Sequence, residues 1–107
     1  MGKMSRDKGK VGEREVAALL REFGFEGRRG VQYRGGSGSA DVEGLPGFHI
    51  EVKRVEKFNL DAAYAQAVTD ADGKATPVVF HRKSDKPWAV VMDAKHFLNL
   101  VRGGGGR

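Results

Sequence analysis

At 107 residues the chain is long enough for one domain around a modest core and too short for two. Charged residues make up 31% and hydrophobic ones 39%, a globular balance, and 19 Lys and Arg against 14 Asp and Glu leave a net charge of +5 that suits a polyanionic partner without requiring one. The absence of cysteine excludes disulfides and thiolate metal sites, and the scattered His49, His81 and His96 are a poor set for a structural zinc. No apolar run approaches the roughly 18 residues that cross a membrane, so a soluble, cytoplasmic protein is expected.

Residues 1–10 carry Lys3, Arg6, Lys8 and Lys10 among Gly and Ser, and read as a flexible basic arm able to touch phosphates through Lys8 and Lys10. A folded domain is expected over 11–102. Val16, Leu19, Leu20 and Phe23 recur at helical spacing, which predicts an amphipathic helix from Val11 to Phe23 with Gly24 as its stop. Glu13 lies on the same stripe as Val16 and Leu20, so its carboxylate is expected to point inward, in a first turn where the helix dipole favours it. A short strand over 28–33 then enters a Gly/Ser loop in which Arg28, Arg29 and Arg34 can meet phosphate oxygens. The glycine spacing matches neither a P-loop nor a dinucleotide fingerprint.

Asp41 to Lys53 is a hairpin around the turn Gly44-Leu45-Pro46-Gly47. Alternation puts Phe48, Ile50 and Val52 on one face of its second strand and His49, Glu51 and Lys53 on the other. Asp41, Glu51 and Lys53 can thus meet at a cleft. Two carboxylates and an ammonium on rigid strands suit a divalent ion that holds a phosphodiester and activates water, although acids and lysines also sit on plain exposed strand faces.

Asn59 caps a second helix whose apolar positions Leu60, Ala63, Tyr64, Ala67, Val68 and Ala71 run to a stop at Gly73, with Gln66 off that stripe. Thr76–Arg82 and Trp88–Met92 read as strands, each with a proline at or just before its start, and the turn between them carries Arg82. Asp93 caps a last helix from Ala94 to Val101, and residues 103–107 read as a disordered Gly-rich tail. The order α-β-β-β-α-β-β-α predicts an α/β fold with a central mixed sheet of about five strands flanked by helices.

Lys8-Gly9, Glu13-Arg14-Glu15, Gly24-Phe25, Arg29, Ser37-Gly38, Asp41 and Ile50-Glu51-Val52-Lys53, in that order and spacing, resemble the archaeal-type Holliday junction resolvases and their phage relatives, within the PD-(D/E)xK nuclease superfamily. The resemblance implies a restriction-endonuclease-like core and a homodimeric endonuclease of a prokaryotic or phage-infected cell, which cuts four-way DNA junctions symmetrically with Mg²⁺, Mn²⁺ able to substitute. It implies that Asp41, Glu51 and the backbone carbonyl of Val52 hold the metal. Lys53 would orient or deprotonate the attacking water, and Glu13 would complete the acidic cluster. Arg14 and Arg29 would hold phosphates. Apart from the resemblance, Ser37, Arg54, Lys57, Gln66 and Arg82 are further candidate DNA contacts, Gln66 and Arg82 reading equally as surface residues. Ala40 stands where the superfamily's name has proline. A nickase, repair or restriction-like nuclease on the same core, or a DNA-binding module without catalysis, are the alternatives.

Overall fold

The run Phe48–Arg54 alternates apolar and polar side chains, and it forms the longest strand of the sheet's first half, β3. The computed structural model describes residues 2–30 and 39–105, with side chains described for 9–30 and 39–103. Arg34, Ser37 and the side chain of Lys8 lie outside the described residues. In chain order the other elements are α1 (Gly2–Glu22), β1 (Arg28–Arg29), β2 (Val42–Glu43), α2 (Leu60–Ala71), β4 (Thr76–Arg82), β5 (Ala89–Val91) and α3 (Ala94–Leu100), followed by a π-helical turn Val101–Gly105. The strands form one five-stranded sheet in the order β1-β2-β3-β4-β5. Only β3 and β4 are parallel, and α2 is the crossover that a parallel pair requires. The fold class and element order are those expected from the sequence.

The sheet's two faces differ. On one, Val16, Ala17 and Leu20 of α1 pack against Val42, Ile50, Val52, Val78 and Phe80. On the other, α2 contributes only Ala63 and Ala67 against Val79, with Phe58, Tyr64 and Val91 at the margin. Odd-numbered β3 residues face this thinner layer, and there His49 and Glu51 are buried. The α1 layer is close because Gly12 carries no side chain: a Cβ there would stand 3.0 Å from Arg54 Cβ and 3.2 Å from Val52 Cγ1.

Several boundaries differ from expectation. Helix α1 begins at Gly2, since the Lys, Arg and Met of the basic stretch are good helix formers with no proline among them. Phe23, expected on the buried stripe, is 72% exposed, because the helix closes first. Phe25 N–H donates to Leu20 O at 3.0 Å around Gly24 (φ +91°), a left-handed C-terminal cap that turns the chain away. The described part of the first strand is two residues, and helical backbone in the π-helical turn continues to Gly105 where a disordered tail was expected.

Glu15 joins three elements on the α1 side. Its Oε1 accepts from Arg82 Nη1 at 3.0 Å and Trp88 Nε1 at 3.2 Å, and its Oε2 lies 3.5 Å from Arg54 Nε. The arginine–Trp88 cation–π contact (5.8 Å) closes the clasp.

The hairpin turn depends on Gly44, whose φ of +112° is open to glycine and whose missing Cβ would collide with the backbone carbonyl of Glu26. Gly47 also has a positive φ (+84°) but open space around it. Gly44→Ala is expected to cost roughly 3 kcal/mol or more and Gly47→Ala about 1 kcal/mol, read from denaturant midpoints. Equal costs would show that the collision at Glu26 is relieved without strain.

Candidate active site

Asp41 is held at three points. Its N–H donates to Ile50 O at 2.9 Å, its carbonyl accepts from Gly30 N–H at 2.8 Å, and its Oδ2 accepts from Val52 N–H at 2.8 Å. The carboxylate is therefore fixed against β3, where its charge acts on the Glu51 carboxyl. Glu51 itself is only 5% exposed. Its Oε2 lies 2.8 Å from His49 Nε2, a neighbour two residues back on the same strand face. Lys53 is the next residue on that face, beyond Glu51, in register with His81.

Burial raises the Glu51 carboxyl most, the Asp41 and Asp70 charges and the hydrogen bond to Asp41 raise it further, and Lys53 opposes them, so that it moves from 4.5 to about 8. Burial and the neighbouring acids therefore favour the protonated form of Glu51 over its carboxylate. Hard oxygen donors crowded so that one cannot ionise are suited to a divalent cation, which would replace that proton. Asp41 and Glu51 thus offer oxygen donors of the kind a divalent cation takes.

Asp70, in the last turn of α2, is the neighbour that sequence reasoning missed. His49, Glu51 and Asp70 each bring a ligand atom within 4.8 Å of the others. His49 was legible as sharing Glu51's strand face. Asp70 was not, because the apolar stripe of α2 suggested a different orientation. Leu60 and Val68 are exposed, and the buried line is Ala63, Ala67 and Ala71, which turns the flank bearing Asp70 toward the sheet.

The remaining residues fall into separate places. Glu13 lies on α1, where its Oε1 accepts from Arg29 Nε at 3.0 Å, and it is not part of the His49, Glu51 and Asp70 cluster. Arg54 and Arg82 are on the α1 face of the sheet, engaged with Glu15, opposite the face of Glu51. Arg28 pairs with Glu43 at 3.3 Å on the β1–β2 edge. Lys10 and Arg14 are exposed on α1. Lys53, Lys57, Phe58, Asn59 and Gln66 line one groove of about 340 Å³ where β3 passes into α2. Its floor is stiffened by Phe58, whose ring stacks on His81 at 3.8 Å.

An α/β core with two acids and a lysine on neighbouring strands is the arrangement of the PD-(D/E)xK nucleases. No family model matches the chain, and no curated protein matches it. Among solved structures it matches Hjc of Archaeoglobus fulgidus, a Holliday junction resolvase from an archaeal hyperthermophile, with a TM-score of 0.59 at 26% sequence identity, covering 79% of this chain and 72% of that chain. In fold, the chain is similar to that archaeal Holliday junction resolvase.

The raised Glu51 carboxyl has a consequence for stability. Folding takes up a proton at this group, so its contribution is complete below pH 4.5 and is lost as the pH rises through about 8. In divalent-free buffer the denaturation midpoint is expected to fall from about pH 5 to about pH 9, and Glu51→Gln, neutral at every pH, to flatten that slope. The same slope in wild type and variant would show that Glu51 is ionised in the folded chain.

Proposed function

We propose that the protein is a metal-dependent endonuclease that resolves four-way DNA junctions by paired phosphodiester hydrolysis. The observation that carries this reading is a Glu51 carboxyl only 5% exposed on β3, beside an Asp41 carboxylate held by Val52 N–H at 2.8 Å, with the Lys53 ammonium next along the same strand face. The structural likeness to a junction resolvase supports it, and so does the net charge of +5.

In this reading Asp41 and Glu51, with the backbone carbonyl of Val52, hold a divalent ion. Mg²⁺ is the expected ion and Mn²⁺ a substitute. Such an ion, when bound, supplies Lewis acidity to the scissile phosphate. The Lys53 ammonium orients the attacking water and offsets the negative charge that develops on the phosphoryl oxygens. Lys57 and Gln66, on the same groove as Lys53, hold the adjacent backbone phosphate, and Arg28, Arg29, Lys10 and Arg14 extend the contact along the strand. Glu13 acts through Arg29, which it orients at 3.0 Å. Arg54 and Arg82 serve the clasp on Glu15, and we do not assign them to DNA.

Two cuts in a two-fold junction require two centres, so the working unit is a homodimer. Phe97, Leu98, Leu100 and Val101 are between 44% and 60% exposed, and no residue of α3 is buried, so this face supports an isologous contact with a second copy. No helix among the described residues is long and apolar enough to cross a membrane, which suits an enzyme that works on DNA in the cytoplasm.

Wild-type protein with Mg²⁺ is expected to cut a synthetic four-way junction and to spare its linear duplex arms. Asp41→Asn or Glu51→Gln should lower the rate on the order of 10³-fold while keeping junction affinity, and Lys53→Ala should lower it roughly 10²-fold. Equal cutting of junction and arms would defeat the resolvase reading, and normal turnover by Asp41→Asn the metal assignment. Light scattering at micromolar concentration should give a dimer that Leu98→Glu converts to monomer. A wild-type monomer would remove the second copy.

A further inference from the structure

The nuclease reading leaves His49 and Asp70 without a task. His49 is 7% exposed and Glu51 5%, so both belong to the interior, and the carboxylate of Asp70 reaches them from the end of α2. A plain buried His–Glu pair accounts for the 2.8 Å contact. It does not account for a second carboxylate brought within 4.8 Å of both. Placing two acids and an imidazole in poorly solvated surroundings costs free energy unless a positive charge joins them. Lys74, the lysine at this rim, lies 3.9 Å from Asp72, outside the cluster.

The spacing suits a coordinated ion. Nitrogen and oxygen ligands at roughly 2.0–2.2 Å from a metal stand roughly 3–4.4 Å from one another, so the three ligand atoms need move only slightly to close on one centre. Asp70 is also steadied from outside, since Gln66 Nε2 donates to its Oδ1 at 2.9 Å and its Oδ2 at 3.0 Å, the kind of outer hydrogen bond that orients a metal-binding carboxylate. A groove of about 550 Å³, lined by Ser39, His49, Thr69, Asp70 and Asp72, gives an entry path from solvent. This groove is separate from the one lined by Lys53 and Lys57.

The donor set decides which ion. Asp41 and Glu51 offer oxygen alone, which suits a hard ion, whereas an imidazole with two carboxylates prefers a borderline transition ion. We propose that His49, Glu51 and Asp70 form a second cation position, which takes a divalent transition ion of the Zn²⁺ class in preference to Mg²⁺ and shares Glu51 with the hydrolytic position. The sharing rests on the nuclease reading given above, but the binding does not.

The test uses the full-length, metal-stripped chain without DNA, with Co²⁺ as a visible probe and Zn²⁺ as competitor. One Co²⁺ per chain is expected to give a d–d absorption band and to shift or broaden the His49 imidazole resonances, assigned by comparison with His49→Gln. Zn²⁺ should displace it one for one, and millimolar Mg²⁺ should not. Asp70→Asn, a near-isosteric change on a half-buried helix end, should weaken Zn²⁺ binding about tenfold or more with an unchanged circular dichroism spectrum. Glu43→Gln, at the β1–β2 edge where it pairs with Arg28, should hold Zn²⁺ within about threefold of wild type, because it lies outside this ligand set. The proposal is overturned if His49 resonances ignore Co²⁺, if Asp70→Asn binds Zn²⁺ as wild type does, or if Mg²⁺ displaces Co²⁺ at comparable concentration. Junction cleavage in Mg²⁺ by the same preparation scores the nuclease reading independently, so either idea can fail alone.

Discussion

A carboxyl group buried on the thin side of a sheet is the constraint around which this molecule is organised. Glu51 sits in the middle of β3, 5% exposed, with its charge opposed by desolvation and by two other acids. A protein interior tolerates such a group only as a protonated acid or beside a cation. The contact with His49 and the nearby Lys53 answer that requirement in part.

The two faces of the sheet divide the work. The α1 face holds the main apolar core, drawn close by Gly12 and fastened by the clasp of Glu15 on Arg54, Arg82 and Trp88. That face supplies rigidity. The α2 face is built from alanines, so it fills little volume and leaves room for His49, Glu51 and Lys53. A bulkier helix would bury the strand more deeply and close that space. Short strands add to the effect: β2 is two residues long, and Asp41 just before it is positioned by backbone hydrogen bonds to Ile50 and Gly30 rather than by packing.

The Glu15 clasp also separates two kinds of arginine. Arg29 is oriented by Glu13 at 3.0 Å while keeping an exposed guanidinium, whereas Arg54 and Arg82 are turned inward to share one carboxylate. Net charge alone does not distinguish them. Part of the basic excess is thus spent on holding α1 to the sheet, while Lys53 and Lys57 line the groove where β3 passes into α2.

What the sequence by itself determined is the local part: the alternation of Phe48–Arg54, the Gly44–Gly47 turn, and the Asn59 and Asp93 caps. These depend on neighbours a few residues apart, so the pattern carries them. The tertiary structure alone decided the burial depth of Glu51, the rotation of α2 that brings Asp70 over His49, and the use of Glu15 as a clasp for Arg54 and Arg82. The physical reason is that helical periodicity defines a stripe but not which edge of it meets the sheet. That edge is settled by how closely alanines let α2 approach Val79, a contact between distant parts of the chain.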